Sequence, residues 1–158
     1  MKTTRRWSLP LLLLFVGCTA PDELPRFTAV ADVQQLMVTL IEPAADVYWD
    51  AVGWILDETG TTEIRPGSDE EWDLVRNAAY VLAESGNLLM MEGRGVEAPA
   101  WVPMAQAMIT VGQRAIEAAE SRNEAAVFDV GAEVYYVCSN CHRAFAIETL
   151  SPSEVPGN

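Results

Sequence analysis

Apolar residues recur three and four positions apart in four successive segments of this chain. This spacing places the side chains on one face of an α-helix, and no segment shows the alternation that is typical of a half-buried strand. The segments cover residues 28–56, 68–92, 99–120 and 123–145. Four helices of roughly twenty residues or more, joined by short links, predict an all-α fold, an antiparallel up-down-up-down four-helix bundle.

Local start and stop signals support these boundaries. Ser68 and Glu71 have the spacing of a capping box, and Asn123 is a favourable N-cap for the fourth helix. The Gly-Arg-Gly run at 93–95 ends the second helix. Pro43 lies inside the first helix, where it removes one backbone hydrogen bond. We expect a kink there and not a break, because the apolar stripe continues past the proline in phase.

The N-terminal residues have the features of an export signal. A basic start with Lys2, Arg5 and Arg6 precedes an apolar run over residues 9–16, which is far shorter than the roughly 20 residues of a membrane-spanning helix. The Phe-Val-Gly-Cys run that ends at Cys18 resembles the bacterial lipobox, in which the cysteine is acylated and becomes the first mature residue. Ordinary cleavage two residues later is the alternative and would discard this cysteine.

The expected domain organisation is simple, and the mature chain is strongly acidic. We expect a lipoprotein signal peptide over 1–17, a linker over 18–27, a four-helix-bundle domain over 28–150 and a flexible tail over 151–158. The chain has 10 basic and 23 acidic residues. Loss of the three basic residues of the leader leaves 7 against 23, a net charge of −16. Such a surface repels nucleic acid and anionic lipid and favours a basic protein partner, although general solubility is an alternative explanation.

Two of the three cysteines and the only histidine lie within five consecutive residues near the C-terminus. Cys138, Cys141 and His142 continue the apolar stripe that includes Val130 and Val134, so we expect them to face the core. The spacing admits three interpretations: a thiol redox pair, part of a zinc site, and a covalent attachment site for haem. Because export leads to an oxidising compartment, free vicinal thiols need a chemical reason to be there.

The position of this motif favours haem. Redox pairs usually lie at a helix N-terminus, which lowers thiol pKa, whereas Cys138 and Cys141 lie in the second half of a helix. Structural zinc needs four ligands, and the chain offers no second histidine. Cys-x-x-Cys-His is the spacing of c-type haem attachment. Cysteines at i and i+3 share a helix face and can form two thioethers, and His142 then becomes the proximal iron ligand.

With these residues, the mature chain resembles the class II cytochromes c, the cytochrome c-prime group. The Cys-Ser-Asn-Cys-His run at 138–142, with Phe145 three residues after the histidine, is similar to the motif that this family carries near the end of its last helix. The resemblance covers residues 28–147 and implies a four-helix bundle with one covalent haem c. The chain departs from the family at Ala146, where many members carry a basic residue.

The resemblance also implies that the distal side of the iron meets the first helix. Family members with an early Leu-Met pair there are six-coordinate and suit electron transfer, whereas members with an apolar residue are five-coordinate and bind small gases. Leu36 and Met37 match the first pattern, and Met37 lies on the apolar stripe. Core packing is the alternative role for Met37. Helix spacing alone also leaves Met90 and Met108 open as ligands.

Other side chains are candidates for contacts with the haem. Arg76 or Arg94 could pair with the propionates, although solvated arginines are the simpler interpretation. Aromatic rings could pack on the porphyrin, although ordinary core packing also accounts for them. The tryptophans concerned are Trp49, Trp54, Trp72 and Trp101.

These features together predict a non-enzymatic electron carrier. We expect a c-type cytochrome tethered to a membrane in the periplasm of a Gram-negative bacterium, with a redox partner protein for which the acidic surface favours a basic one. The resemblance to lipoproteins that carry threonine, and not aspartate, after the cysteine implies the outer membrane in preference to the inner one. A gas-binding protein for nitric oxide or carbon monoxide is the second hypothesis. A lipoprotein with a Cys138–Cys141 disulfide is the third, and it leaves His142 without a role. No nucleophile–base pair indicates catalysis, and the expected fold is compatible with a homodimer.

Overall fold

A computed structural model of the chain describes residues 27–146. This part of the chain is mostly helical and carries one small two-stranded sheet. Its elements in order are α1 Val33–Leu36, a π-helix Met37–Ile41, α2 Glu42–Trp49, β1 Gly53–Asp57, β2 Gly60–Ile64, α3 Asp69–Leu89, α4 Trp101–Glu120 and α5 Glu124–Phe145. The expected signal peptide, the lipid site at Cys18 and the tail from residue 151 lie outside these residues. None of the described helices combines the length and the apolar character that crossing a bilayer requires.

The three long helices agree with the sequence analysis. Ser68 and Glu71 form the predicted capping box, in which each side chain accepts a hydrogen bond from the backbone amide of the other residue. The Asn123 side chain accepts a hydrogen bond from the Ala126 amide at the start of α5. α4 begins at Trp101, slightly later than predicted, and ends at Glu120. Local capping therefore determines where α3 and α5 start, whereas no side chain caps α4.

The prediction of one long helix over residues 28–56 is wrong. Helical structure begins after Asp32, which forms a capping box with Gln35, and it ends at Trp49. Residues 53–57 instead form β1, which pairs antiparallel with β2. The consecutive apolar residues at 54–56 lack the alternation that marks a strand, so their sequence was equally compatible with a helix.

The turn between β1 and β2 explains why this segment leaves the helix. The Asp57 carboxylate accepts hydrogen bonds from the amide and the hydroxyl of Thr59, at 2.8 and 2.6 Å. Gly60 follows with a φ of 134°, a conformation that side chains rarely permit. Aspartate at the first position and glycine at the fourth position of a turn favour a tight reversal of the chain, and the register pairs Asp57 with Gly60.

A π-helix separates α1 from α2, where we predicted a continuous helix with a kink at Pro43. Pro43 lies in the first turn of α2, a position where proline is favoured, and the helical run continues without a gap from Val33 to Trp49. Directly before it, the Glu42 amide donates to the carbonyl of Met37, five residues back. A π-helical turn is wider than an α-helical turn, and this local change from α-helix to π-helix accommodates the proline. Such π-turns occur frequently at functional sites.

The core lies where the long helices meet. α3 packs along α4, α4 packs along α5, and α2 contacts both α3 and α5. Two glycines allow α3 and α4 to approach closely, since a Cβ on Gly112 would lie 2.5 Å from the Cα of Ala83 and one on Gly86 would lie 2.5 Å from the carbonyl oxygen of Ala105. Tyr48 of α2 is fully buried in the same core.

Candidate functional site

The Cys-x-x-Cys-His motif lies in the last turns of α5. The apolar stripe of this helix is buried at Val130 and Val134. One turn further, Cys138 and Cys141 are half-buried and His142 is exposed. The predicted stripe is therefore confirmed as far as the cysteines, but the expectation that His142 faces the core is wrong. His142 borders two cavities.

Two cavities meet at the motif. The inner cavity has a volume of about 240 Å³ and borders Cys138, and the outer cavity has a volume of about 990 Å³ and borders Arg94 and Phe145. The outer cavity alone has a volume within the range of cofactor sites. Four residues line both cavities: Met37, Trp101, Cys141 and His142. The other apolar residues of the inner cavity are Ile41, Ala45, Trp49, Leu89, Met104, Ala105, Met108, Tyr135 and Val137.

The structure separates the candidate methionine ligands. Met37 lines both cavities and is the first residue of the π-helix. Met104 and Met108 line only the inner cavity, and Met108 is buried in the core. Met90 lines neither of the two cavities. Met37 is therefore the methionine that shares both spaces with His142.

The two thiols do not resemble an activated redox pair. Burial and, to a smaller extent, the neighbouring Cys141 together raise the pKa of the Cys138 thiol to about 11. Burial also raises the pKa of the Cys141 thiol. Both cysteines are free thiols in this structure. A reactive cysteine needs a lowered pKa, so this surrounding disfavours thiol–disulfide exchange at neutral pH.

Ligands for a zinc site are not gathered among the described residues. Nowhere in residues 27–146 do three or more histidine, cysteine, aspartate or glutamate side chains gather as a metal-binding group. Structural zinc requires four such ligands in a tetrahedral arrangement. The motif thus contributes too few ligands by itself, and no carboxylate of the described residues completes it.

Two of the four tryptophans support the cavities. Trp101 is buried, donates its indole hydrogen to the Leu89 carbonyl at 2.7 Å, and meets the Phe145 ring edge-on at a centroid distance of 5.0 Å. Trp49 donates its indole hydrogen to the Gly131 carbonyl at 2.9 Å, which joins α2 to α5. Hydrogen bonds fix both rings at the edge of the motif. Trp54 and Trp72 line neither of the two cavities.

The two candidate arginines differ in their surroundings. Arg76 pairs with Asp73 at 2.9 Å and lines neither cavity. Arg94 borders the outer cavity but is only 4% exposed. Its guanidinium donates to the carbonyls of Ala31 and Leu88 at 2.7 to 3.1 Å. Arg94 therefore joins the loop after α3 to the segment before α1.

Comparison of the chain with protein-family models, with curated proteins and with solved structures finds no match. The chemistry of the site therefore has to be inferred from its donor groups. Two thiols at i and i+3 and an imidazole at i+4 border one apolar space, and a thioether borders the same space. This donor set fits a covalently attached haem with two axial ligands.

The sequence analysis missed one aromatic residue of the site. Tyr135 lines the inner cavity, and its ring meets the Trp49 ring at a centroid distance of 6.3 Å. Tyr135 precedes Cys138 by three residues, so helix spacing placed both on one face. This three-residue spacing was the signal in the sequence for Tyr135. It was missed because the valine stripe on the same helix is more regular and drew the prediction to the buried face.

Proposed function

We propose that this chain is a c-type cytochrome that carries single electrons and is not an enzyme. Cys138 and Cys141 would hold one haem c through thioether bonds, and His142 would be its proximal iron ligand. The observation that carries the proposal is the position of Met37 on both of the cavities that border His142. Bound haem supplies a one-electron redox centre, and the protein supplies ligands, an apolar pocket and a docking surface.

We also propose that the helices form an antiparallel up-down-up-down four-helix bundle with the motif on its last helix. In this arrangement α1, the π-helix and α2 together make the first helix, and the β-hairpin is its connection to the second. The contacts of α3 with α4, of α4 with α5, and of α2 with α3 and α5 support it. The short link at 121–123, in which Arg122 has a φ of 52°, also supports antiparallel neighbours.

Met37 is the proposed distal ligand. A thioether is a soft donor suited to haem iron, and methionine–histidine ligation raises the reduction potential. The π-helix that begins at Met37 sets the register of this side chain relative to α2. Because such a ligand occupies the open coordination position, this assignment favours electron transfer over gas binding.

The haem assignment is tested on protein produced in a host that matures c-type cytochromes. Mass spectrometry should show one added haem, and acid acetone should not extract it. Replacement of both cysteines, Cys138→Ala with Cys141→Ala, should abolish the covalent adduct. Extractable haem in the unsubstituted protein, or none, would contradict the proposal.

The ligand assignment is tested by the visible and near-infrared spectra of Met37→Ala and of Met104→Ala. The unsubstituted ferric protein should be low-spin, with the weak far-red band of methionine ligation. Met37→Ala should lose this band, show a lower potential and bind carbon monoxide. Met104→Ala, which removes a methionine of the inner cavity alone, should keep the band. If the unsubstituted protein is high-spin and binds carbon monoxide freely, the result would contradict electron transfer and would support gas binding.

We further propose that the mature protein is held in the periplasm by a lipid on Cys18, at the outer membrane. The lipobox-like sequence supports this location, and Cys18 itself lies outside the described residues. A lipid anchor would leave the acidic helical domain free to meet a soluble redox partner. The negative charge of the chain favours a basic partner.

A further inference from the structure

An exposed row of aromatic rings runs along α5 and the β-hairpin. Trp54 of β1 is 56% exposed and meets Phe128 of α5, which is 49% exposed, at a centroid distance of 5.4 Å. Tyr136 is 65% exposed and meets Tyr135, which is 60% exposed, at 6.3 Å. Large aromatic side chains that cluster on a surface mark interaction sites. We name Trp54, Phe128, Tyr135 and Tyr136 the aromatic groove.

The aromatic groove is connected with the proposed cofactor site. A cavity of about 420 Å³ on this face is lined by Phe128, Tyr135, Tyr136 and Trp49. Trp49 and Tyr135 also line the inner cavity that borders Cys138. The rings of Trp49 and Tyr135 therefore line both the cavity on this face and the inner cavity. A partner bound in the groove would therefore contact Tyr135, a ring that also lines the inner cavity.

Carboxylates flank the other end of the groove. Glu63 and Asp129 line a cavity of about 370 Å³ together with Trp54 and Phe128. No arginine or lysine of the described residues lies within ion-pair distance of Glu63 or Asp129. Unpaired carboxylates beside aromatic rings complement a lysine or arginine, which pairs with the charge and packs on the ring face.

The net charge of the whole chain indicates which class of partner can bind in the aromatic groove. The formal net charge of the full chain is −13, so anionic lipid and nucleic acid are repelled. A basic protein is attracted, and its apolar centre can cover the rings. We propose that the aromatic groove, with Glu63 and Asp129, is the docking surface for the basic redox partner of this chain. This proposal rests on the proposed electron-carrier function.

The test uses the haem-containing protein and a lysine-rich class I cytochrome c as the basic probe. Binding is measured by titration calorimetry at low ionic strength, which does not depend on electron transfer. The groove variant carries Glu63→Gln with Asp129→Asn, and the control variant carries Glu97→Gln with Glu117→Gln. The control makes the same change of charge at exposed residues that line none of these three cavities. A third variant, Trp54→Ala, removes an aromatic ring without changing the charge.

We expect the groove variant and Trp54→Ala each to weaken binding of the probe by about fivefold or more, and the control by less than about twofold. Equal weakening by the groove and control variants would show that only the total charge matters and would overturn the proposal. Unchanged binding in the groove variant would also overturn it. Sedimentation of the unlipidated domain with phosphatidylcholine vesicles, lost in Trp54→Ala, would assign the groove to a membrane instead.

Different results would contradict the electron-carrier function and the docking surface. A protein without haem that still binds the probe through Glu63, Asp129 and Trp54 would contradict the electron-carrier function and leave the docking surface in place. A haem-containing protein whose binding of the probe is indifferent to the groove variants would overturn the docking surface alone.

Discussion

At the scale of single residues, Arg94 is the clearest case of a charged side chain with a structural role. Its buried guanidinium donates to the carbonyls of Ala31 and Leu88. Arg94→Ala would leave these acceptors without their donor and a gap in their place. We expect the free energy of unfolding to fall by about 2 to 3 kcal/mol, measured by urea unfolding.

The matched control for this prediction is Arg76→Ala. Arg76 makes one partly exposed ion pair with Asp73, three residues before it on α3. Such a pair contributes less than about 1 kcal/mol, so the control should unfold at nearly the same urea concentration as the unsubstituted protein. Equal losses in both variants would show that Arg94 has no special role in joining the chain segments.

Cys138 allows a second residue-scale prediction, which concerns protein made without haem attachment. Burial raises the pKa of its thiol to about 11, so iodoacetamide at pH 7.5 should alkylate the folded protein at least about tenfold more slowly than the urea-unfolded protein. The neutral thiol is favoured in the folded state. The free energy of unfolding should therefore fall as pH rises from the ordinary thiol value of 9.0 toward about 11. Fast alkylation at neutral pH would instead indicate a redox thiol.

At the scale of elements, the close contact of α3 with α4 depends on glycine. Alanine usually stabilises a helix by about 1 kcal/mol relative to glycine. At Gly112 the added Cβ would lie 2.5 Å from the Cα of Ala83, which is backbone and cannot move aside alone. Gly112→Ala should therefore lower the free energy of unfolding by about 1 to 3 kcal/mol, as overpacking does.

Gly53→Ala is the control for this helix contact. Apart from Gly53 and its two chain neighbours, no residue has an atom within 4 Å of a Cβ built on Gly53, and its φ is not positive. The control should change the melting temperature by little. A Gly112→Ala protein as stable as the control would mean that α3 and α4 can separate without cost.

At the scale of the whole molecule, the proposed lipid decides where the protein is found. Cys18→Ser should move the protein from the membrane fraction to the soluble periplasmic fraction, because acylation needs the thiol. Haem attachment at Cys138 and Cys141 should be unaffected, and the haem absorption of each fraction provides the measurement. An unsubstituted protein that is already soluble and begins after Ala20 would contradict the lipobox interpretation.

Much of the helical fold was predictable because its signals are local. Ser68 with Glu71, and Asn123, cap their helices through hydrogen bonds within three residues, so sequence spacing is sufficient to find them. The hairpin was missed for the opposite reason. Trp54, Ile55 and Leu56 have no strand alternation, and their pairing with residues 61–63 depends on contacts across the turn.

The candidate site was also predictable only in part from the sequence. The sequence alone determined the spacing of Cys138, Cys141 and His142, because one helix carries all three and fixes their relation. Only the tertiary structure decided which distant side chains meet them: Met37 on both cavities and Trp49 with Tyr135 on the inner one. It also decided that His142 is exposed and that Arg94 bonds to backbone. Helix periodicity identifies a buried face, but the packing of separate helices determines which residues share a cavity.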